Sequence, residues 1–122
     1  MSKDAAIEEE PPTPGKETVL THVLEDLKNN AELCRDLKSR AERGKEEYGT
    51  YLMTHNGRDP IRDAYLEALD MIMYIKQAQL EGTEMSLHVS GGPTLIAIQL
   101  KNMLYHSKKP PESEEPQVLS SW

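Results

Sequence analysis

The residues best suited to chemistry lie in the run Asp59 to Gln77, D-P-I-R-D-A-Y-L-E-A-L-D-M-I-M-Y-I-K-Q. Asp63, Glu67 and Asp70 fall at i, i+4 and i+7. On a helix turning about 100° per residue they stack on one narrow face, which Tyr74 and Gln77 continue. No Lys or Arg stands between them, and each like-charged neighbour costs roughly 0.2–0.5 kcal/mol in a plain helix. Such a stripe calls for a cation. Mg²⁺ suits it, because that ion takes oxygen ligands and is held by one or two carboxylates together with water and substrate phosphates. The competing reading is that the three acids are the solvated side of an amphipathic helix.

The elements that must position this stripe can be read around it. Asp59 is placed to cap a helix, Pro60 suits its first position, and no Gly or Pro follows until Gly82. Ile61, Ala64, Tyr65, Ala68, Leu69, Met71, Ile72, Ile75 and Ala78 cover most of the remaining circumference. Upstream, from about 17 to 48, Leu20, Val23, Leu24, Leu27, Ala31, Cys34, Leu37 and Ala41 recur at three- and four-residue steps, a helical period. Asn29-Asn30 is its weak point, where the segment can bend or break. On that helix Lys38 and Lys45 intrude on the apolar face, with Glu42 at its edge and Glu46 one step further round. Long stems covering apolar surface account for them in one reading; a polar site between helices accounts for them in the other. Gly49 sits where a left-handed C-cap belongs, and Asn56-Gly57 signals a turn. So short a loop predicts an antiparallel return, which is expected to bring Glu42 and Glu46 toward Asp63, Glu67 and Asp70, with Lys38, Lys45 and Arg58 placed for phosphate oxygens. Tyr51, Tyr65 and Tyr74 are candidates for stacking on a base or for packing. Asn56 is a candidate for a base edge or simply for the turn.

The rest of the chain bounds the answer. Residues 1–16 carry Glu8-Glu9-Glu10 with Pro and Gly, and 107–122 are rich in Pro, Glu and Ser; both read as disordered tails flanking a single domain over 17–106. Val118, Leu119 and Trp122 at the end of the second tail are a candidate docking peptide or a chance apolar end. Met85 to Val89 alternates like a strand without a partner and reads as an ordered connector, after which Pro93 is expected to open a third, apolar helix to about Tyr105. With 122 residues, no Phe, abundant helix formers and one cysteine, the composition points to a single-core all-α chain without an internal disulfide. A net charge of −7 argues against duplex nucleic acid or an anionic membrane as partner. No run of ~18 apolar residues and no leader-like segment stands out, so the chain is expected to be soluble and cytoplasmic. His22, His55, His88 and His106 lack ligand spacing and read as surface residues; Cys34 reads as a buried hydrophobe.

Taken together, Tyr48-Gly49-Thr50, Asn56-Gly57-Arg58-Asp59 and Asp63-Ala-Tyr65-Leu-Glu67-Ala-Leu-Asp70 through Gln77 resemble small phage and bacterial proteins grouped with the MazG-like, all-α nucleoside triphosphate pyrophosphohydrolases. The resemblance covers about a third of the chain. That superfamily carries an E-x-x-E pair on one helix and an E-x-x-D pair on the next, which bind Mg²⁺. Glu67-Ala-Leu-Asp70 matches the second pair; the first differs, since Glu42 and Glu46 are four apart and Lys45 stands at the second acid's place. The resemblance implies hydrolysis of a (deoxy)nucleoside triphosphate to monophosphate and pyrophosphate by a homodimer or larger homo-oligomer.

The expected fold is therefore an antiparallel helical hairpin plus a third helix, its core completed by oligomerisation. Glu42, Glu67 and Asp70 are the expected ligands of Mg²⁺ (or Mn²⁺), and Glu46 and Asp63 the expected catalytic carboxylates. Lys38, Lys45, Asn56, Arg58 and Tyr74 are the expected nucleotide contacts. Two other classes stay open: a nucleotide-binding protein without turnover, and a helical protein-interaction module.

Overall fold

A computed structural model describes residues 14–108; the expected disordered tails fall largely outside them, as do Val118, Leu119 and Trp122. The fold is all-α, with four helices: α1 (Val19–Asp26), α2 (Ala31–Tyr48), α3 (Pro60–Leu80) and α4 (Leu87–Lys108). The described chain divides into two compact units, one ending at Arg58 and the other beginning at Asp59.

The first unit contains α1 and α2. The weak point at Asn29-Asn30 is a true break. The Leu27 amide closes α1 onto the Val23 carbonyl at 3.0 Å, and the Asn30 side chain caps α2 by accepting from the Leu33 amide at 3.0 Å. An Asn that can bond the backbone of the next turn favours starting a helix over continuing one. Gly49 ends α2 in the expected left-handed conformation, with φ 82°.

The helix expected from residue 17 begins at Val19, because the residues before it pair with another part of the chain. Thr18 and Met53 form a single antiparallel bridge. Around it Lys16 donates to the Thr54 carbonyl (2.8 Å), Thr54 to Glu17 (2.7 Å) and Val19 to Leu52 (3.0 Å). Lys16, expected in a tail, is thus part of the ordered unit. Gly15 is required there: a Cβ at that position would lie 2.1 Å from the Thr54 carbonyl oxygen.

The second unit is the helical hairpin of α3 and α4. Asp59 caps α3 as expected, its Oδ1 accepting from the amides of Ile61 (3.1 Å) and Arg62 (3.2 Å), with Pro60 at the first position. Gly82, with φ 104°, follows its end. Of the segment expected to be a connector from Met85 to Val89, Met85 and Ser86 are non-helical and Leu87 to Val89 instead start α4, which begins six residues before Pro93 and contains it. Ser86 provides the start: its carbonyl accepts from Val89 (3.1 Å) and Ser90 (2.9 Å), and its hydroxyl also accepts from Val89 (3.3 Å). Pro93 lies beyond that first turn, where it leaves the Val89 carbonyl without its helical donor and sets its ring against that carbonyl. Ser107 and Lys108 continue the helix past Tyr105.

Small side chains make the contact between α3 and α4. Ala68 (6% exposed) and Ala97 (3%) are the buried apolar side chains among the described residues, apart from Pro93, which is also buried. Ile61, Tyr65, Ile72 and Ile75 extend the α3 side of this contact at helical spacing and are half-buried. Leu69 and Met71, read from the sequence as part of an apolar face, remain exposed.

Two substitutions test these local arguments by urea unfolding. Asp59→Ala should cost about 1 kcal/mol through loss of the cap. Gly15→Ala should cost more, about 1–3 kcal/mol, because the Cβ meets backbone that cannot swing aside; equal stability of Gly15→Ala and the parent would show that the bridge to Thr54 does not form.

Candidate functional site

On α3 the acidic stripe has the geometry its spacing requires. The face turned to α4 runs through Ile61, Tyr65, Ala68, Ile72 and Ile75. Asp63, Glu67, Asp70 and Tyr74 lie close to the opposite side of the helix, away from α4. Glu67, Asp70 and Tyr74 are exposed and Asp63 is half-buried. Neither Glu67 nor Asp70 forms an ion pair among the described residues, unlike Glu17, which pairs with His22 (2.7 Å), and Glu25, which pairs with Lys28 (3.0 Å). Both carboxylates are therefore open to an added cation.

In the first unit, Lys38, Glu42, Lys45 and Glu46 are all exposed on α2. Two of them are brought together by a residue that sequence reasoning treated only as packing or base-stacking. The Tyr51 hydroxyl donates to Glu42 Oε2, and Lys45 Nζ sits 4.9 Å above the Tyr51 ring centroid. Glu42 and Lys45 are three apart, hence neighbours on one helix face. The Gly49 cap then turns the chain so that Tyr51 returns over that face. That spacing, read with the cap, is the signal that could have found the cluster. The hydrogen bond to Glu42 holds the Tyr51 phenol above its usual range, with partial burial and the Glu42 charge acting in the same direction. Lys45, expected to contact phosphate, has a π-face as its neighbour.

The loop between α2 and α3 is built from Asn56. It is buried (7% exposed), and its Oδ1 accepts from the Arg58 amide at 3.1 Å, an Asx turn that leads into the start of α3. The turn role expected for Asn56 is thus met by its oxygen. Arg58 is half-buried. Immediately before Asn56, His55 holds φ 55° and lies 3.1 Å from the Thr54 hydroxyl through Nδ1.

All four histidines are exposed, as their spacing suggested. Cys34, expected to be buried, is half-buried, and its thiol donates to the Leu27 carbonyl at 3.2 Å, tying α2 to the end of α1. Elsewhere in the second unit Lys101 Nζ lies 5.3 Å over the Tyr65 ring.

Among the described residues, no three of His, Cys, Asp and Glu gather into a group able to hold a metal ion by themselves. The donors present on α3 fit the way Mg²⁺ is bound by few carboxylates, its remaining positions filled by water and phosphate oxygens. They do not form an all-protein cage of the kind Ca²⁺ takes.

Two observations about partners complete the description. No described helix is long and apolar enough to cross a membrane. No protein-family model, curated protein or solved structure gives a significant match to the chain.

The Tyr51 cluster yields a pH prediction. A phenol whose folded pKa is raised contributes stability that is fully present below its unfolded pKa and is lost as pH rises through the folded value. An ultraviolet titration of the parent should therefore show Tyr51 ionising late. In Glu42→Gln that tyrosine should ionise earlier, and an unchanged titration would contradict the contact.

Proposed function

We propose that this chain is a Mg²⁺-dependent nucleotide hydrolase that splits a (deoxy)nucleoside triphosphate into monophosphate and pyrophosphate, working as a homo-oligomer. The observation that carries the proposal is the pair Glu67 and Asp70. They lie one helical turn apart, exposed, without ion pairs among the described residues, on a helix whose other faces are largely apolar. An acidic pair left open in this way, in a chain that is already anionic, is held at an electrostatic cost that a bound cation removes. The resemblance of Glu67-Ala-Leu-Asp70 to an E-x-x-D metal pair supports the same assignment.

In this proposal Glu67 and Asp70 hold the ion, which when bound would neutralise phosphate charge and lower the pKa of a water. Asp63, on the same stripe and half-buried, orients the attacking water. Tyr74, 68% exposed at the end of the stripe, offers an aromatic face to the base.

A second reading, binding of nucleotide or of a protein partner without turnover, is favoured by one observation. Glu42 and Lys45 are both engaged by Tyr51, and Lys45 occupies the place of an acid in the motif. The two readings part on product. With Mg²⁺ and a panel of dNTPs the hydrolase releases pyrophosphate, and Glu67→Gln lowers that rate by on the order of 10²-fold. A binder raises its melting temperature with nucleotide and returns the nucleotide intact. Absence of both pyrophosphate release and any nucleotide- or Mg²⁺-dependent melting shift would overturn the nucleotide assignment altogether.

A further inference from the structure

Asn56 has a reactivity that its role in the turn does not use. Of the chain's four asparagines, at 29, 30, 56 and 102, it is the one followed by glycine. Asparagine is thermolabile because the amide nitrogen of the next residue can attack its side-chain carbonyl carbon. A Cβ on that next residue crowds the attack, and glycine has none. In the step, the Gly57 amide gives its proton to hydroxide and its nitrogen bonds to Asn56 Cγ. The Cγ–Nδ2 bond breaks, and the departing nitrogen takes up a proton and leaves as ammonia. Water then adds to either carbonyl of the cyclic imide and breaks one of its C–N bonds, giving an aspartyl or an isoaspartyl residue. Overall, water is consumed, ammonium leaves and a carboxylate replaces the amide.

The fold both assembles this pair and holds it off. Gly57 has φ 86°, a left-handed conformation that favours glycine, so the turn itself calls for the reactive neighbour. Gly57 is exposed, and the block lies on the other partner. Asn56 is the buried polar side chain among the described residues, 7% exposed, which keeps from its amide the water that must protonate the leaving nitrogen. Its Oδ1 accepts from the Arg58 amide at 3.1 Å. The ring closed by that bond contains both torsions that cyclisation must change, the side-chain χ1 and the backbone ψ of Asn56. The bond also turns the amide's oxygen toward the following backbone, whereas the Gly57 nitrogen must approach the face of the carbon. Once formed, the isoaspartyl product cannot restore the turn. Its main chain runs through the former side chain and is longer by a methylene, and the carbonyl that bonded Arg58 has become backbone. A carboxylate is also placed where water is largely excluded, at a cost in stability.

We infer that Asn56-Gly57 is a self-modification site gated by the fold. Closed while the loop holds, it deamidates once the loop opens, and the isoaspartyl product prevents the loop from closing again. The inference is independent of the nucleotide reading.

Ageing the full chain in mildly alkaline buffer across a guanidinium chloride series tests it, with circular dichroism of the same samples giving the fraction unfolded. Trypsin, cutting after Lys45 and Arg58, releases residues 46–58 as one peptide. Chromatography and mass spectrometry of that peptide separate the amide, aspartyl and isoaspartyl forms of position 56. In the denatured chain position 56 should deamidate before 29, 30 and 102. Gly57→Ala, measured denatured so that its folding does not matter, should slow the reaction by at least about tenfold. In the folded parent the rate should lie at least about tenfold below the denatured rate and rise with the fraction unfolded. Isoaspartyl chains returned to buffer without denaturant should melt below the parent. Equal rates in folded and denatured chains would overturn the inference. So would earlier modification of another asparagine, an undiminished rate in Gly57→Ala, or isoaspartyl chains that melt like the parent.

Discussion

The packing of α3 against α4, with Ala68 and Ala97 buried, is the constraint on which the second unit depends. Ala68 and Ala97 are small enough to let two helices lie near one another, and that contact fixes the rotation of each helix about its axis. Once the Ile61–Tyr65–Ala68–Ile72–Ile75 side of α3 is turned toward α4, the spacing of Asp63, Glu67 and Asp70 places them on the far side. The same contact leaves Val89, Ile96 and Met103 of α4 exposed. The packing of α3 against α4 therefore sets two surfaces of opposite character, one acidic and one neutral and apolar.

The first unit is held differently. Its helices bury no side chain fully, and its closure relies on backbone hydrogen bonds from residues 16–19 to residues 52–54 and on the Cys34 thiol reaching the end of α1. Directional contacts of this kind position particular atoms rather than cover area. They keep the segment after α2 in place, and with it Tyr51 against Glu42 and Lys45.

Much of this was legible in the sequence where one residue type decides a local structure. Asp59-Pro60 at a helix start, Gly49 at a helix end, Asn56-Gly57 in a turn and the break at Asn29-Asn30 each rest on backbone chemistry within a few residues. The start of α4 was missed because Pro93 is a stronger sequence signal for a helix start than Ser86, whereas the helix begins at Leu87 behind the Ser86 cap and runs through the proline. The bridge from Thr18 to Met53 was missed because it joins residues 35 apart that show no strand periodicity. At the candidate site, the stripe on α3 could be read from periodicity alone. The Tyr51 cluster could not, since it depends on how the chain turns after the cap.

The central claim is that the acidic face of α3 is a divalent-cation site. Paramagnetic broadening of backbone amide signals by added Mn²⁺, with a non-hydrolysable nucleoside triphosphate present, measures it directly. The account predicts that the amides from Asp63 to Gln77 broaden first and that the triphosphate sharpens this selectivity. Broadening spread evenly over exposed acids such as Glu47, Glu81 and Glu84, with α3 affected no more than they are, would contradict it.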